Sequence, residues 1–185
     1  MDANMYKFFV GIGSRSTPES YIPLIEKISE KLISRNYILR SGGASGADTF
    51  WENAYDKFGG KKEIYLPWKN FNNNSSELYH ISNEALERAE YYHPNWSSLS
   101  DAAKKLHARN TYQILGDDSG RYNTNGRYFG WSFSDMVICY TADGKDTGGT
   151  GQAIRIARQY NVPVYNLYHY GENILQIIEQ YELFS

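Results

Sequence analysis

The sequence predicts an α/β fold: a mainly parallel five-stranded sheet with helices on both faces and a helical insertion. Three observations carry this. Five short apolar runs alternate with segments of helical period. Glycine-rich turns follow the first, second and fourth runs. Parallel strands need right-handed crossovers, which place helices over both faces.

The elements follow in order. Tyr6–Ile12 is an apolar run closed by Gly11-Ile12-Gly13, the pattern of a buried strand. Thr17-Pro18-Glu19 reads as a helix start, with Thr as cap, Pro in the first turn and Glu at the positive end of the dipole. Ile22, Ile25, Ile28, Leu32 and Ile33 continue that helix at i, i+3, i+4 spacing. Tyr37–Leu39 is the second strand and Ala44–Phe58 the second helix, stopped by Gly59-Gly60. Glu63–Leu66 is the third strand, closed by Pro67.

The alternation breaks over residues 69–133, an insertion or elaborated crossover. Glu77–Tyr91 and Ser100–Leu115 read as helices, and the polar, aperiodic Gly116–Gly130 as a mobile loop that would close over a ligand. Met136–Tyr140 is the fourth strand, followed by the loop Asp143–Gly151 and a helix over Gln152–Tyr160. Val162–Leu167 is the fifth strand and Glu172–Tyr181 the last helix. The expected strand order is 3-2-1-4-5, within one domain spanning residues 1–185.

Composition narrows the class. A chain of 185 residues buries roughly 70% of its unfolded surface and needs no covalent staple. The hydrophobic fraction is 41%, with 17 Tyr included, so tyrosine fills part of the core. The single cysteine, Cys139, excludes an internal disulfide and a Cys-rich zinc site, and its place in an apolar strand reads as core. No signal peptide and no run of about 20 apolar residues is present, so a cytoplasmic protein without membrane contact is expected. The net charge of −2 argues against a partner held mainly through phosphates, and nucleic acid is not expected on that ground.

Ligands of open parallel sheets bind beyond the carboxyl ends of the strands, where the strand order reverses. Three loops would converge there. Gly11-Ile12-Gly13-Ser14-Arg15 gives close backbone approach, a hydroxyl and a guanidinium, without the third glycine of a dinucleotide fingerprint. Ser41-Gly42-Gly43-Ala44-Ser45-Gly46-Ala47-Asp48 joins a strand to a helix and would leave N–H groups open to an anion. It lacks the Gly-Lys-Ser/Thr ending of a triphosphate loop, and Asp48 is as well placed to brace the loop as to meet a ribose hydroxyl. Asp146-Thr147-Gly148-Gly149-Thr150-Gly151-Gln152 is a second Gly-rich strand-to-helix turn. Arg109 and Asn110 sit on the insertion's second helix. The four histidines show no metal-ligand spacing, no Gly-x-Ser-x-Gly elbow exists, and no metal or cofactor is expected. Trp68, Trp96 and Trp131 lie in or near loops, where packing or stacking on a base are both open.

Together, Val10-Gly11-Ile12-Gly13-Ser14-Arg15, Ser41–Asp48, Ala108-Arg109-Asn110 and Gly148-Gly149-Thr150-Gly151-Gln152-Ala153 resemble the SLOG superfamily. That group unites the DNA-processing protein DprA with the Lonely Guy (LOG) nucleotide hydrolases. The match is nearest the DprA-like branch and covers residues 6–67 and 105–167. The resemblance implies a Rossmann-like three-layer sandwich, usually in a homo-oligomer, with a pocket for nucleotides or their derivatives. It implies a ligand set of Gly13, Ser14, Arg15, Ser41, Gly42, Gly43, Ala44, Ser45, Gly46, Asp48, Arg109, Asn110, Gly148, Gly149, Thr150 and Gly151. LOG enzymes carry a glutamate in the last loop; here Gln152 follows Gly151, and an amide cannot act as a general base.

Three functions follow as expectations. The first is a sponge or sensor that binds a signalling nucleotide or ADP-ribose-like molecule without turnover, of the kind a phage would use against a host defence. The alternatives are an N-glycosidic hydrolase or transferase of LOG type and a DprA-like binder of single-stranded DNA. In each, Arg15 and Arg109 neutralise ligand charge, and replacing either weakens binding without unfolding the chain.

Overall fold

The structure, a computed structural model, describes residues 7–117, 121–122, 128–129 and 132–181. The chain opens with β1 (Lys7–Gly13), α1 (Ile22–Ile33), β2 (Tyr37–Ser41), α2 (Ala47–Lys57) and β3 (Lys62–Ile64). The insertion contributes α3 (Asn83–Tyr91), α4 (Asp101–Leu115) and a short antiparallel ribbon of β4 (Arg121–Tyr122) and β5 (Tyr128–Phe129). The chain ends with β6 (Met136–Tyr140), α5 (Gly148–Gln159), β7 (Val164–Asn166), α6 (Leu167–Tyr170) and α7 (Ile174–Gln180).

The main sheet has the order β3-β2-β1-β6-β7 with every pairing parallel, the 3-2-1-4-5 order read from sequence. Side chains alternate across it as strand geometry requires. Phe9, Leu39, Met136 and Ile138 point to one face, under α1, α2 and α7. Val10, Ile12, Val137 and Cys139 point to the other, under α4 and α5. A third cluster, built on Tyr65, Ala85, Ala89, Ala108 and Tyr112, fastens α3 to α4. The result is a three-layer α/β sandwich of Rossmann type. No helix among the described residues is long and apolar enough to cross a membrane.

Several expected boundaries move, each for a local reason. Thr17 does not cap α1; its hydroxyl donates to the Ser14 carbonyl at 2.6 Å, and α1 begins after a 3-10 turn at Glu19–Tyr21, with a proline in its first turn. Residues 77–82 are not helical, because the Leu66 N–H takes the Leu78 carbonyl at 2.7 Å and extends the chain beside the end of β3. Ser82 then caps α3, accepting from the Ala85 N–H at 3.1 Å. The last helix is broken: α6 ends at Gly171 (φ 47), and a 3-10 turn precedes α7. The loop expected over residues 116–130 contains the β4–β5 ribbon; its residues 118–120, 123–127 and 130, and with them Trp131, lie outside the described residues.

Candidate functional site

A cleft of about 580 Å³ opens at the carboxyl ends of β1 and β6. The strand order reverses between these two strands, so the cleft occupies the switch point of the sheet. Its walls come from Gly13-Ser14-Arg15 after β1, Ala44 and Asp48 at the start of α2, and His107, Arg109, Asn110 and Gln113 on α4. The stretch 141–150 between β6 and α5 closes it.

The first two loops are locked together. The Ser14 carbonyl accepts from the Thr17 hydroxyl, the Thr17 N–H (3.2 Å) and the Ala47 N–H (3.2 Å). Gly46 (φ 80) lies against this knot, where a Cβ would come within 2.5 Å of the Ser14 and Arg15 carbonyl oxygens. A glycine is therefore required there twice over, by dihedral and by space.

The 41–48 loop is closed on an anion of its own. The Asp48 carboxylate, 4% exposed, accepts from the Ala44 N–H at 3.4 Å, with the N–H groups of Gly13 and Gly42 beside it. Burial pushes the Asp48 carboxyl up; the Arg109 charge and those N–H groups pull it back. The donors expected to hold a ligand anion at this loop thus serve Asp48 first. Ser41 is buried, its hydroxyl donating to the Gly11 carbonyl at 2.7 Å. Gly42, Gly43, Ser45, Gly46 and Gly151 do not line the cleft. Gly43 packs on Leu66, Gly151 packs on the Asp146 backbone, and Ser45 is exposed.

Arg109 is an internal strut. It is 7% exposed, lies 3.4 Å from Asp48 and donates to the Gly42 carbonyl. Its guanidinium fills the space where a Gly42 side chain would stand. Burial lowers its pKa, the Arg15 charge adds to this, and Asp48 opposes it. Arg15, by contrast, is exposed at the cleft mouth and has no ion-pair partner among the described residues.

The 146–151 loop differs from the 41–48 loop. No side chain caps the start of α5, and Gly148 and Gly149 are exposed with open space around them. The first N–H groups of α5, at residues 148–150, form an uncovered positive helix end on the cleft wall. Behind it lies a buried amide network. Gln152, fully buried, accepts from Asn110 Nδ2 at 2.9 Å and pairs with His107 Nδ1 at 3.0 Å, while its own Nε2 donates to the Ala89 carbonyl at 3.1 Å. Asn110 also donates to the Gly149 carbonyl at 3.1 Å, which ties α5 to α4. Burial lowers the His107 pKa, as do His93, Arg109 and Arg155, and the Gln152 contact opposes them. Neither His107 nor Gln113 belongs to the ligand set that the resemblance implies, yet both line the cleft.

Of the remaining sequence candidates Cys139 is core, while Trp68 stays partly open to solvent. Cys139 is buried within β6. Trp68 packs edge-on against Phe71, and Trp96 sits beside His93.

The sequence matches no protein-family model and no curated protein. Two solved structures are similar in fold. One is DNA processing protein A (DprA) from Streptococcus pneumoniae, with 18% identity and a TM-score of 0.50, covering 87% of this chain and 50% of that one. The chain thus spans half the length of that structure. The other is the protein of the same name from Helicobacter pylori, with 18% identity and a TM-score of 0.56, covering 96% of this chain and 80% of that one. The chain has the DprA-like SLOG fold.

These relatives correct two expectations. The Helicobacter structure is described by its unique single-stranded DNA binding mode. The leading expectation, a small-molecule sponge or sensor, finds no support in these structures, which agree better with the DNA-binding alternative. The exclusion of nucleic acid falls with it. The physical reason is that net charge is a whole-chain sum, whereas a phosphate meets only local donors. At the cleft that local donor is the exposed Arg15.

Proposed function

We propose that this protein binds single-stranded DNA, with the sugar–phosphate backbone seated in the cleft at the carboxyl edge of the sheet. One observation carries the reading. On a DprA-like fold, the uncovered start of α5 and the unpaired Arg15 face one cleft at the switch point. A phosphodiester accepts from N–H groups at residues 148–150 and from the Arg15 guanidinium. Ser14 and Thr150 supply hydroxyls at the same wall. Gly13 and Ala44 leave the backbone approachable. Asp48, Arg109 and Asn110 hold the walls in place, and the Gly-rich remainder of the 41–48 loop gives them room.

Turnover is not part of this reading. At the position where LOG enzymes carry a carboxylate, this chain has an amide with its donor and acceptor both engaged.

The test is fluorescence anisotropy of a labelled oligonucleotide titrated with the protein over a range of salt. Binding should weaken with salt by a slope of about 0.7 per neutralised phosphate. Arg15→Ala should lower affinity about tenfold and reduce that slope by about 0.7. Its melting temperature should hold, because an exposed side chain without partners is removed. Absence of binding at 50 mM salt (a test condition of about one Debye length of 14 Å), or unchanged affinity in the variant, would refute the proposal.

A further inference from the structure

We infer that Trp68 is a stacking platform for a base of the bound single strand, and that the strand runs to it from the cleft along the carboxyl edge of the sheet; this rests on the single-stranded DNA reading above. Every pairing in the main sheet is parallel, so the chain leaves β3 on the same edge as the cleft. Tyr65 still pairs with β2, its N–H donating to the Ser41 carbonyl at 2.9 Å, and Trp68 follows just beyond. β3 lies two places from β1 in the sheet order. At about 4.8 Å between strands that is about 10 Å, a gap that about three nucleotides span at roughly 3.4 Å each.

The indole is open where a base needs it to be. Trp68 is 38% exposed, whereas Trp51 is fully buried and Trp96 half-buried. It meets Phe71 with ring centroids 5.1 Å apart and planes at 89°. An edge-on neighbour covers at most one face of the indole, whichever ring supplies the edge. Trp68 has no further ring contact among the described residues. A base stacks on such a surface through its own π-face, whatever its identity.

The turn that carries Trp68 is held against the 41–48 loop. Asn72 Nδ2 donates to the Gly43 carbonyl at 3.1 Å, and Asn74 Nδ2 donates to Glu52 at 2.8 Å. Asn70, Asn72 and Asn73 take positive φ (60, 52 and 59), a conformation that asparagine tolerates and bulky residues resist. A platform built in advance loses little freedom when a base lands on it. Lys69, next in the chain, is exposed, with Nζ 5.9 Å from the centre of the Tyr79 ring and no ion-pair partner among the described residues. Its charge is left for the phosphate beside the stacked base.

The experiment titrates the full chain, Trp68→Leu and Trp68→Phe by anisotropy with an oligonucleotide of about 12 nucleotides and with a strand of equal length made of abasic sites, and follows tryptophan fluorescence alongside. The parent should bind the base-bearing strand more tightly than the abasic one. Trp68→Leu, which keeps an apolar contact with Phe71, should lose about tenfold on the base-bearing strand and nothing on the abasic one. Its salt slope should match the parent's, since no phosphate contact is removed. Trp68→Phe should keep most of the affinity and lose most of the fluorescence quenching that the parent shows on binding. Unchanged affinity of Trp68→Leu for the base-bearing strand, an equal loss on both strands, or full quenching retained in Trp68→Phe would overturn the inference. Should Trp68→Leu melt lower than the parent, the quenching in Trp68→Phe decides alone. Failure of the parent to bind either strand would instead overturn the DNA reading itself, and is recognised without any variant.

Discussion

Removing the Asp48 carboxylate should unfold the loop that shapes the cleft, and the size of the effect follows from its burial. Asp48 is 4% exposed and Arg109 7%, with 3.4 Å between them. Asp48→Ala leaves a largely buried guanidinium without its counter-charge. Breaking one side of a buried ion pair costs about 3–5 kcal/mol. Arg109 keeps its bond to the Gly42 carbonyl, which places the loss near the lower end, about 3 kcal/mol. In a domain of this size that is a fall of about 6–12 °C in melting temperature. Urea unfolding followed by far-UV circular dichroism measures it directly, with an unchanged m-value as the sign of two-state behaviour. The double variant Asp48→Ala/Arg109→Met removes the stranded charge as well. It should be more stable than Asp48→Ala alone by at least about 1 kcal/mol. A loss below about 1 kcal/mol in the single variant, or no recovery in the double, would show that Asp48 and Arg109 are not a coupled internal strut.

Two further outcomes follow from the same geometry. Gly42→Ala drives a methyl group into the Arg109 guanidinium and should lose about 1–3 kcal/mol in urea; Gly149→Ala, with open space around it, is the matched control and should hold its midpoint. His107 is kept below its ordinary pKa of 6.5 by burial. The unfolded chain therefore takes up a proton first as pH falls, and the His107 contribution is intact above about pH 6.5 and is lost below it. Melting temperatures at pH 7.5 and 5.0 should differ more for the parent than for His107→Gln, and equal differences would count against this account.

The sheet was legible because its five strands are apolar runs too short for helices, separated by turn residues, and a parallel sheet leaves few ways to order them. What was not legible depended on contacts distant in sequence. Residues 77–82 have helical composition, yet the Leu66–Leu78 hydrogen bond extends them. The 41–48 and 146–151 loops read alike as Gly-rich anion sites. Their difference lies in the side chain at hand: the Asp48 carboxylate accepts from the Ala44 N–H inside the first loop, whereas no side chain caps the start of α5 in the second. Arg109 reads as a surface residue from its neighbours in the chain and is buried because its guanidinium packs on Gly42 and Asp48 of the 41–48 loop, 67 and 61 residues away in sequence.

The closed first loop has a consequence for how a strand could move. Its own carboxylate occupies donors that would otherwise offer a second docking place for a phosphate. A sheet edge with two open turns would present two near-equivalent footholds, and a nucleic acid chain could step between them without letting go. If a strand binds as proposed, Asp48 leaves the start of α5 as the foothold for its phosphate, and a strand seated there would change register only by release.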